Sequence, residues 1–177
     1  MLEGQKCLVV GSGISGVGAV TLLSKYDTQI VFYDSNGALK PEDLQAKLPE
    51  GCKAECITGI LPDEVLETID VVVLSPGVPT DIPMVNALRD RGAGILGEIE
   101  LGYLAEAGEV VAITGTNGKT TTTTLMGEIM KAHRGAEKVF VVGNIGNPYT
   151  LECMNTKEDT VTVGEISFFQ LETIETF

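Results

Sequence analysis

Val110-Val111-Ala112-Ile113-Thr114-Gly115-Thr116-Asn117-Gly118-Lys119-Thr120-Thr121-Thr122 decides the fold. Four apolar, mostly β-branched residues read as a buried parallel strand, and a glycine-rich turn and a helix follow them. Gly115 and Gly118 let backbone N–H groups turn inward around phosphates, Lys119 reaches the terminal phosphates, and the Thr120 hydroxyl is placed for Mg²⁺. The general phosphate-loop pattern has glycine five residues before Gly118, where this chain has Ile113. Thr120 to Thr124 are five consecutive threonines, poor helix formers because branching at Cβ restricts their rotamers. A sequence selected only for helicity avoids such a run, so the expectation is a phosphate-binding loop made of Gly115, Thr116, Asn117, Gly118, Lys119, Thr120 and Thr121.

Strand-like and helix-like segments alternate outward from this unit. Downstream, a helix is expected from Lys119 to His133, then strands at Val139–Val142 and Thr160–Val163. Upstream, strands are expected at Lys6–Val10, Gln29–Tyr33, Asp70–Leu74 and Gly94–Leu96. Helices are expected near residues 15–25, 42–48, 63–69 and 82–91. This is the α/β pattern of parallel sheets covered on both faces. The division it suggests is a Rossmann-like domain over 1–95, a helical connector over 96–107, and the start of a phosphate-loop domain over 108–177. Fewer strands follow Lys119 than a nucleoside-triphosphate domain needs, so that second domain is expected to be cut short.

A second glycine loop, Gly11-Ser12-Gly13-Ile14-Ser15-Gly16, follows the first strand and opens a helix, and Asp34 closes the next strand eighteen residues after Gly16. This arrangement places a diphosphate at the helix N-terminus and an acidic residue against a ribose or base. The diphosphate of a UDP-sugar suits it as well as that of NAD, and the second loop argues against a simple nicotinamide-dependent reductase. Glycines of this spacing also serve merely to pack a helix on a strand.

The net charge of −13 excludes a general nucleic-acid binder and an anionic membrane surface, both of which call for a basic patch. Phosphates must then be held locally, by N–H groups, one or two lysines and a cation. Cys7, Cys52, Cys56 and Cys153 have no zinc-site spacing, and Cys7 reads as a buried thiol. Neither a signal peptide nor a run of eighteen apolar residues is present, so the expectation is a cytoplasmic protein without membrane insertion. Glu165, after the 160–163 strand, is placed either as a second Mg²⁺ ligand or as a solvated strand end. Asn144 is either a turn residue or a substrate contact, and spacing does not decide. His133 suits a cation at a helix C-terminus better than a catalytic base.

Together these motifs resemble the N-terminal part of the Mur ligases, on the branch that adds D-glutamate. The resemblance rests on Gly11–Gly16 with Asp34, Ser75-Pro76-Gly77, Gly115–Thr122, Gly143-Asn144-Ile145-Gly146, Glu165-Ile166-Ser167 and Phe169-Gln170-Leu171-Glu172. Asn117 separates the chain from the L-alanine-adding ligases, which typically have His within the loop. The resemblance implies ATP-dependent joining of D-glutamate to UDP-N-acetylmuramoyl-L-alanine through an acyl phosphate, in peptidoglycan precursor synthesis, by a monomer. It implies that Gly13, Ile14, Ser15, Asp34, Ser35, Ser75, Pro76 and Gly77 hold the UDP-linked substrate. Lys119 would act on the ATP phosphates, Asn144 near the reacting carboxylate, and Thr120 and Glu165 on Mg²⁺. Gly164 and Phe168 stand where the family usually has Ala and Ser, and Phe168 is expected to add bulk beside the metal ligand. The family's later metal-binding His, its modified lysine and its C-terminal amino-acid-binding domain have no counterpart before Phe177. The fragment is therefore expected to bind the UDP precursor better than it catalyses, the alternative being a non-catalytic module for that precursor.

Overall fold

The computed structural model describes residues 2–177 and contains two parallel sheets in succession. The first is built from β1 (Lys6–Val10), β2 (Gln29–Asp34), β3 (Glu55–Thr58), β4 (Val71–Leu74) and β5 (Gly94–Gly97), in the order β3-β2-β1-β4-β5. Every pairing is parallel. β1 and β4 are almost wholly buried because helices cover both faces, which is why they read as unbroken apolar runs. The chain winds from β1 to one side through β2 and β3, then crosses to the other side at β4. The carboxyl ends of β1 and β4 therefore diverge into a crevice.

The covering helices are α1 (Ile14–Leu23), α2 (Pro41–Gln45), α3 (Asp63–Leu66), α4 (Pro83–Asp90) and α5 (Glu98–Leu104). α2 and α3 are shorter than their apolar spacing suggests, and Leu48 and Ile69 are buried from the turns that follow them. β3 escapes a reading by apolar runs. It is a half-exposed edge strand beginning at exposed Glu55. β5 continues to Gly97, two residues beyond the 1–95 division, and α5 starts at the next residue.

The second sheet has β6 (Glu109–Ile113), β7 (Val139–Gly143) and β8 (Val161–Glu165) in the order β6-β8-β7, with α6 (Lys119–Arg134) following β6 and α7 (Tyr149–Glu152) following β7. The five threonines do enter α6. Thr123 is buried there, while its neighbours on both sides are exposed.

One buried cluster runs from Cys7, Val9 and Phe32 through Leu22, Ile99 and Leu101 to Val142, Tyr149, Cys153 and Ile166, so the two sheets share a core. Small residues make the joint possible. A Cβ on Gly18 of α1 would meet Thr150 Oγ1 at 2.5 Å, and one on Gly102 of α5 would meet the Tyr149 ring at 2.8 Å. Both lie inside normal contact, so a side chain at either glycine would push α7 away.

Candidate functional site

The first glycine loop is wired before any ligand arrives. Ser12 is buried and donates to Asp34 Oδ2 through its N–H at 2.9 Å and its hydroxyl at 2.6 Å. Asp34 Oδ1 accepts from Asn36 N at 2.9 Å. Lys47 Nζ donates to the Ser12 carbonyl at 2.9 Å and to its hydroxyl oxygen at 3.0 Å. Burial works against the charge of Asp34, but the Ser12 hydroxyl, the Asn36 and Ser12 N–H groups and the Lys47 ammonium outweigh it. They hold the carboxyl below its ordinary value. Asp34 is thus a tether of the loop as well as a possible ligand contact. The N–H groups of Ile14 and Ser15 open α1 and have no intrahelical acceptor, and Gly13 and Ile14 are exposed.

Two cavities flank the segment after β4. One, of about 550 Å³, is lined by Gly11, Tyr33, Asp34 and Ser35 on one side and by Gly77, Val78, Pro79, Ile82 and Met84 on the other. The second, of about 500 Å³, is lined by Ser75 to Asp81, Gly97 to Ile99, and Phe169, Gln170, Glu172 and Thr173. Gly77, Val78 and Pro79 belong to both walls, so the cavities are neighbours across one short ridge. The structure thus brings Asp34, Ser35 and Gly77 together in the first cavity and Ser75, Pro76 and Gly77 in the second. Gly13, Ile14, Ser15 and Asn144 line neither.

In the second loop Gly118 sits at φ +76°, a left-handed turn into α6 that favours glycine. Thr114 to Gly118 are exposed, and Lys119 Nζ folds back to donate to the Gly115 carbonyl at 2.9 Å. Ile113, which leads into the loop, pairs in register with Glu165 at the end of β8, and Ile166 N donates to Ile113 O at 2.9 Å. Glu165 is buried, and its Oε2 has no hydrogen-bond partner among the described residues. Asn144 N donates to the Glu165 carbonyl at 3.0 Å, and a Cβ on Gly143 would overlap that same carbonyl. Asn144 and Glu165 are therefore adjacent at the strand ends beside the loop, a proximity that spacing alone left open. His133 lies in the last turn of α6, far along the helix from the loop.

Phe168 is 72% exposed and meets Phe169 edge to face, with ring centroids 6.0 Å apart. A Cβ on Gly164 would lie 3.2 Å from Ile166 Cδ1, so an alanine there needs only a small side-chain adjustment. All four cysteines are free, and burial pushes the Cys7 thiol up to about 11.

Apolar periodicity gave no warning of the carboxylates on and after α5. Glu98 Oε1 accepts from Thr150 N and Thr150 Oγ1, both at 2.8 Å. Glu100 accepts from Glu175 N, Thr176 N, Thr176 Oγ1 and Phe177 N. Glu106 Oε2 accepts from Thr162 Oγ1 at 2.9 Å. Each ties the connector to the second unit. Burial pushes the Glu98 carboxyl up against the opposing bonds from Thr150. At Glu100 burial acts in the same direction, but the bonds from Thr176, Glu175 and Phe177 prevail and the carboxyl is held low. Ser12 and Lys47 were likewise missed. The only sequence signal for Ser12 was its place between two loop glycines.

A Rossmann-type crevice joined to a phosphate-loop unit through a shared core is the class of protein this fold defines. The family profile described as Mur ligase MurD-like, N-terminal domain, matches residues 5–97, and that described as Mur ligase middle domain matches 113–176. The chain belongs to the Mur ligase family. It is 53% identical over 174 residues to the UDP-N-acetylmuramoylalanine–D-glutamate ligase of Lachnoclostridium phytofermentans, covering 98% of this chain and 38% of that relative. It is 51% identical over 176 residues to the protein of the same name from Lachnospira eligens, covering 99% and 38%. The chain thus spans well under half the length of these relatives. Among solved structures, a murein peptide ligase from Psychrobacter arcticus superposes with a TM-score of 0.53 at 19% identity, covering 94% of this chain and 39% of that one. A pseudomurein peptide ligase type C from Methanothermus fervidus gives 0.50 at 20% identity, covering 93% and 33%. At such identities these two speak for the fold alone.

Proposed function

We propose that this chain supplies the UDP-substrate site and the ATP-phosphate loop of a ligase that joins D-glutamate to UDP-N-acetylmuramoyl-L-alanine. The observation that carries this reading is the pair of cavities meeting at Gly77-Val78-Pro79, one beside the first glycine loop and the other walled by residues 169–173 of the phosphate-loop unit. An elongated ligand with a nucleotide at one end and a reactive group at the other fits that arrangement. Its diphosphate would take the N–H groups of Gly13, Ile14 and Ser15 at the start of α1. Asp34 and Ser35 would face the uridine, and Ser75, Pro76 and Gly77 would line the path across the ridge.

On the second loop, Gly115 to Thr121 would cradle the ATP phosphates and Lys119 would exchange its bond to the Gly115 carbonyl for one to a phosphate oxygen. Thr120 and Glu165 fit a divalent cation such as Mg²⁺. The buried, unpartnered Glu165 Oε2 is a hard oxygen donor, and Mg²⁺ is commonly held by one or two protein oxygens plus substrate phosphates. Such a cation neutralises phosphate charge. In the whole enzyme the substrate carboxylate would attack the γ-phosphorus of ATP and release ADP, leaving an acyl phosphate. The amine of D-glutamate would then attack its carbonyl carbon and expel phosphate. Asn144, next to Glu165, would orient the reacting carboxylate. The protein's part in this chemistry is positioning and charge neutralisation, which a chain of net charge −13 can perform with backbone N–H groups and few lysines.

Calorimetric titration of the 177-residue chain with UDP-N-acetylmuramoyl-L-alanine and, separately, with ATP and Mg²⁺ tests the reading. Both should bind. Lys119→Ala should weaken ATP by about tenfold or more without altering the UDP-precursor arm. Loss of neither or both arms together would sink the assignment of two separate sites.

A further inference from the structure

Residues 169–177 of the phosphate-loop unit lie as a strap against the first unit and form one wall of the second cavity. Four observations fix the strap. Thr80 Oγ1 donates to Glu172 Oε2 at 3.0 Å. Thr173 packs so closely on Gly97 that a Cβ there would overlap its hydroxyl. Phe177 stacks edge to face on Tyr103, with ring centroids 5.1 Å apart. Glu100, 1% exposed, receives the N–H groups of residues 175, 176 and 177 and the Thr176 hydroxyl. Glu100 is the one group that collects several bonds from the strap, and both of its oxygens are used. A buried carboxylate with this many donors is held as a charge and is rigid.

We propose that Glu100 is a positioning residue for the part of the UDP-linked substrate that lies beyond the diphosphate, acting through the 169–177 strap. It touches no ligand itself. It sets where Phe169, Gln170, Glu172 and Thr173 stand across the cavity from Ser75-Pro76-Gly77. The cavity's charged lining is Asp81, Glu98 and Glu172, with no cation, so the ligand portion it accepts is an uncharged polar one, such as an N-acetylated sugar offering hydroxyl and amide donors. Geometry, rather than charge attraction, must therefore supply recognition, and a displaced wall loses it.

This inference rests on the proposed UDP-substrate site, and the test separates the two. Affinities of the 177-residue chain for UDP and for UDP-N-acetylmuramoyl-L-alanine are measured with Glu100→Gln, Glu100→Asp and Thr176→Val. Glutamine keeps the shape but turns an N–H₂ toward donors. The wild-type chain should prefer the longer ligand. Glu100→Gln should cut that preference on the order of tenfold while UDP affinity holds. Glu100→Asp should restore part of it. Thr176→Val, which removes a strap hydroxyl bond to Glu100 from outside the cavity lining, should lower the preference in the same direction and carries the test if Glu100→Gln does not fold. Equal loss for both ligands would mean general destabilisation and would overturn the inference, as would an unchanged preference. Failure of the wild-type chain to bind either ligand would instead overturn the UDP-site reading.

Discussion

The two glycine loops of this protein follow the same plan, strand to loop to helix, yet are finished differently. The first is closed by its own protein. Gly11 N donates to the Tyr33 carbonyl, Ser12 is held by Asp34 and Lys47, and a Cβ on Gly16 would collide with the Gly11 carbonyl. The second is open. Thr114 to Gly118 face solvent, and the one side-chain bond across the loop is from Lys119 to Gly115. The setting matches. β1 is central in a five-stranded sheet, whereas β6 flanks the three strands that this chain contributes to its second sheet. A loop embedded in a finished core holds its shape without a ligand. A loop whose backbone faces solvent keeps its N–H donors free.

The strongest way to break this contrast is Gly16→Ala. Because the overlap is with backbone rather than a movable side chain, it should cost about 3 kcal/mol or prevent folding, read as the urea midpoint. A near-neutral result would show that the first loop is not held as tightly as its contacts imply. By comparison Lys119→Ala, in the open loop, should change the same midpoint by less than about 0.5 kcal/mol.

A middle effect is expected from Asp34→Asn, which turns a donor toward one already present and should cost about 1–2 kcal/mol. The pH dependence has a definite sign. Because the folded carboxyl is held low, its contribution is present above the unfolded value of about 4 and is lost as pH falls through the folded value. Acid titration of stability should therefore be shallower in the variant. Identical curves would remove Asp34 from the tether.

A small effect of opposite sign belongs to the joint between the regions. Glu98→Gln leaves Oε1 to accept both Thr150 bonds and removes a buried charge, so stability at pH 7 should change by no more than about 1 kcal/mol and in the favourable direction. Here the folded carboxyl is raised, so its contribution is fully present below the unfolded value of about 4.3 and is lost as pH rises through the folded value. The advantage of the variant should grow from acid toward neutral pH. Thermal melts across that range would expose an error as a constant or shrinking difference.

Much of this was legible in one dimension. The apolar runs of β1 and β4 announced parallel strands because burial on both faces leaves no polar alternation, and both glycine loops were marked by residue types that backbone geometry demands. β3 was not legible, since an edge strand with one polar end lacks that signature, and neither was the shortness of α2 and α3, whose last apolar residues are buried from turns. The adjacency of Asn144 to Glu165 depends on β6, β7 and β8 ending side by side, which no spacing encodes. The sequence by itself therefore determined the α/β class, the two glycine-rich loops between strand and helix, and the family. The tertiary structure decided that the units share one core, that two cavities meet at Gly77, and that Glu98, Glu100 and Glu106 turn their carboxyl oxygens to the joint. The physical reason is that local chemistry fixes strands and loops, whereas a carboxylate's role depends on which distant donors the packed chain brings to it.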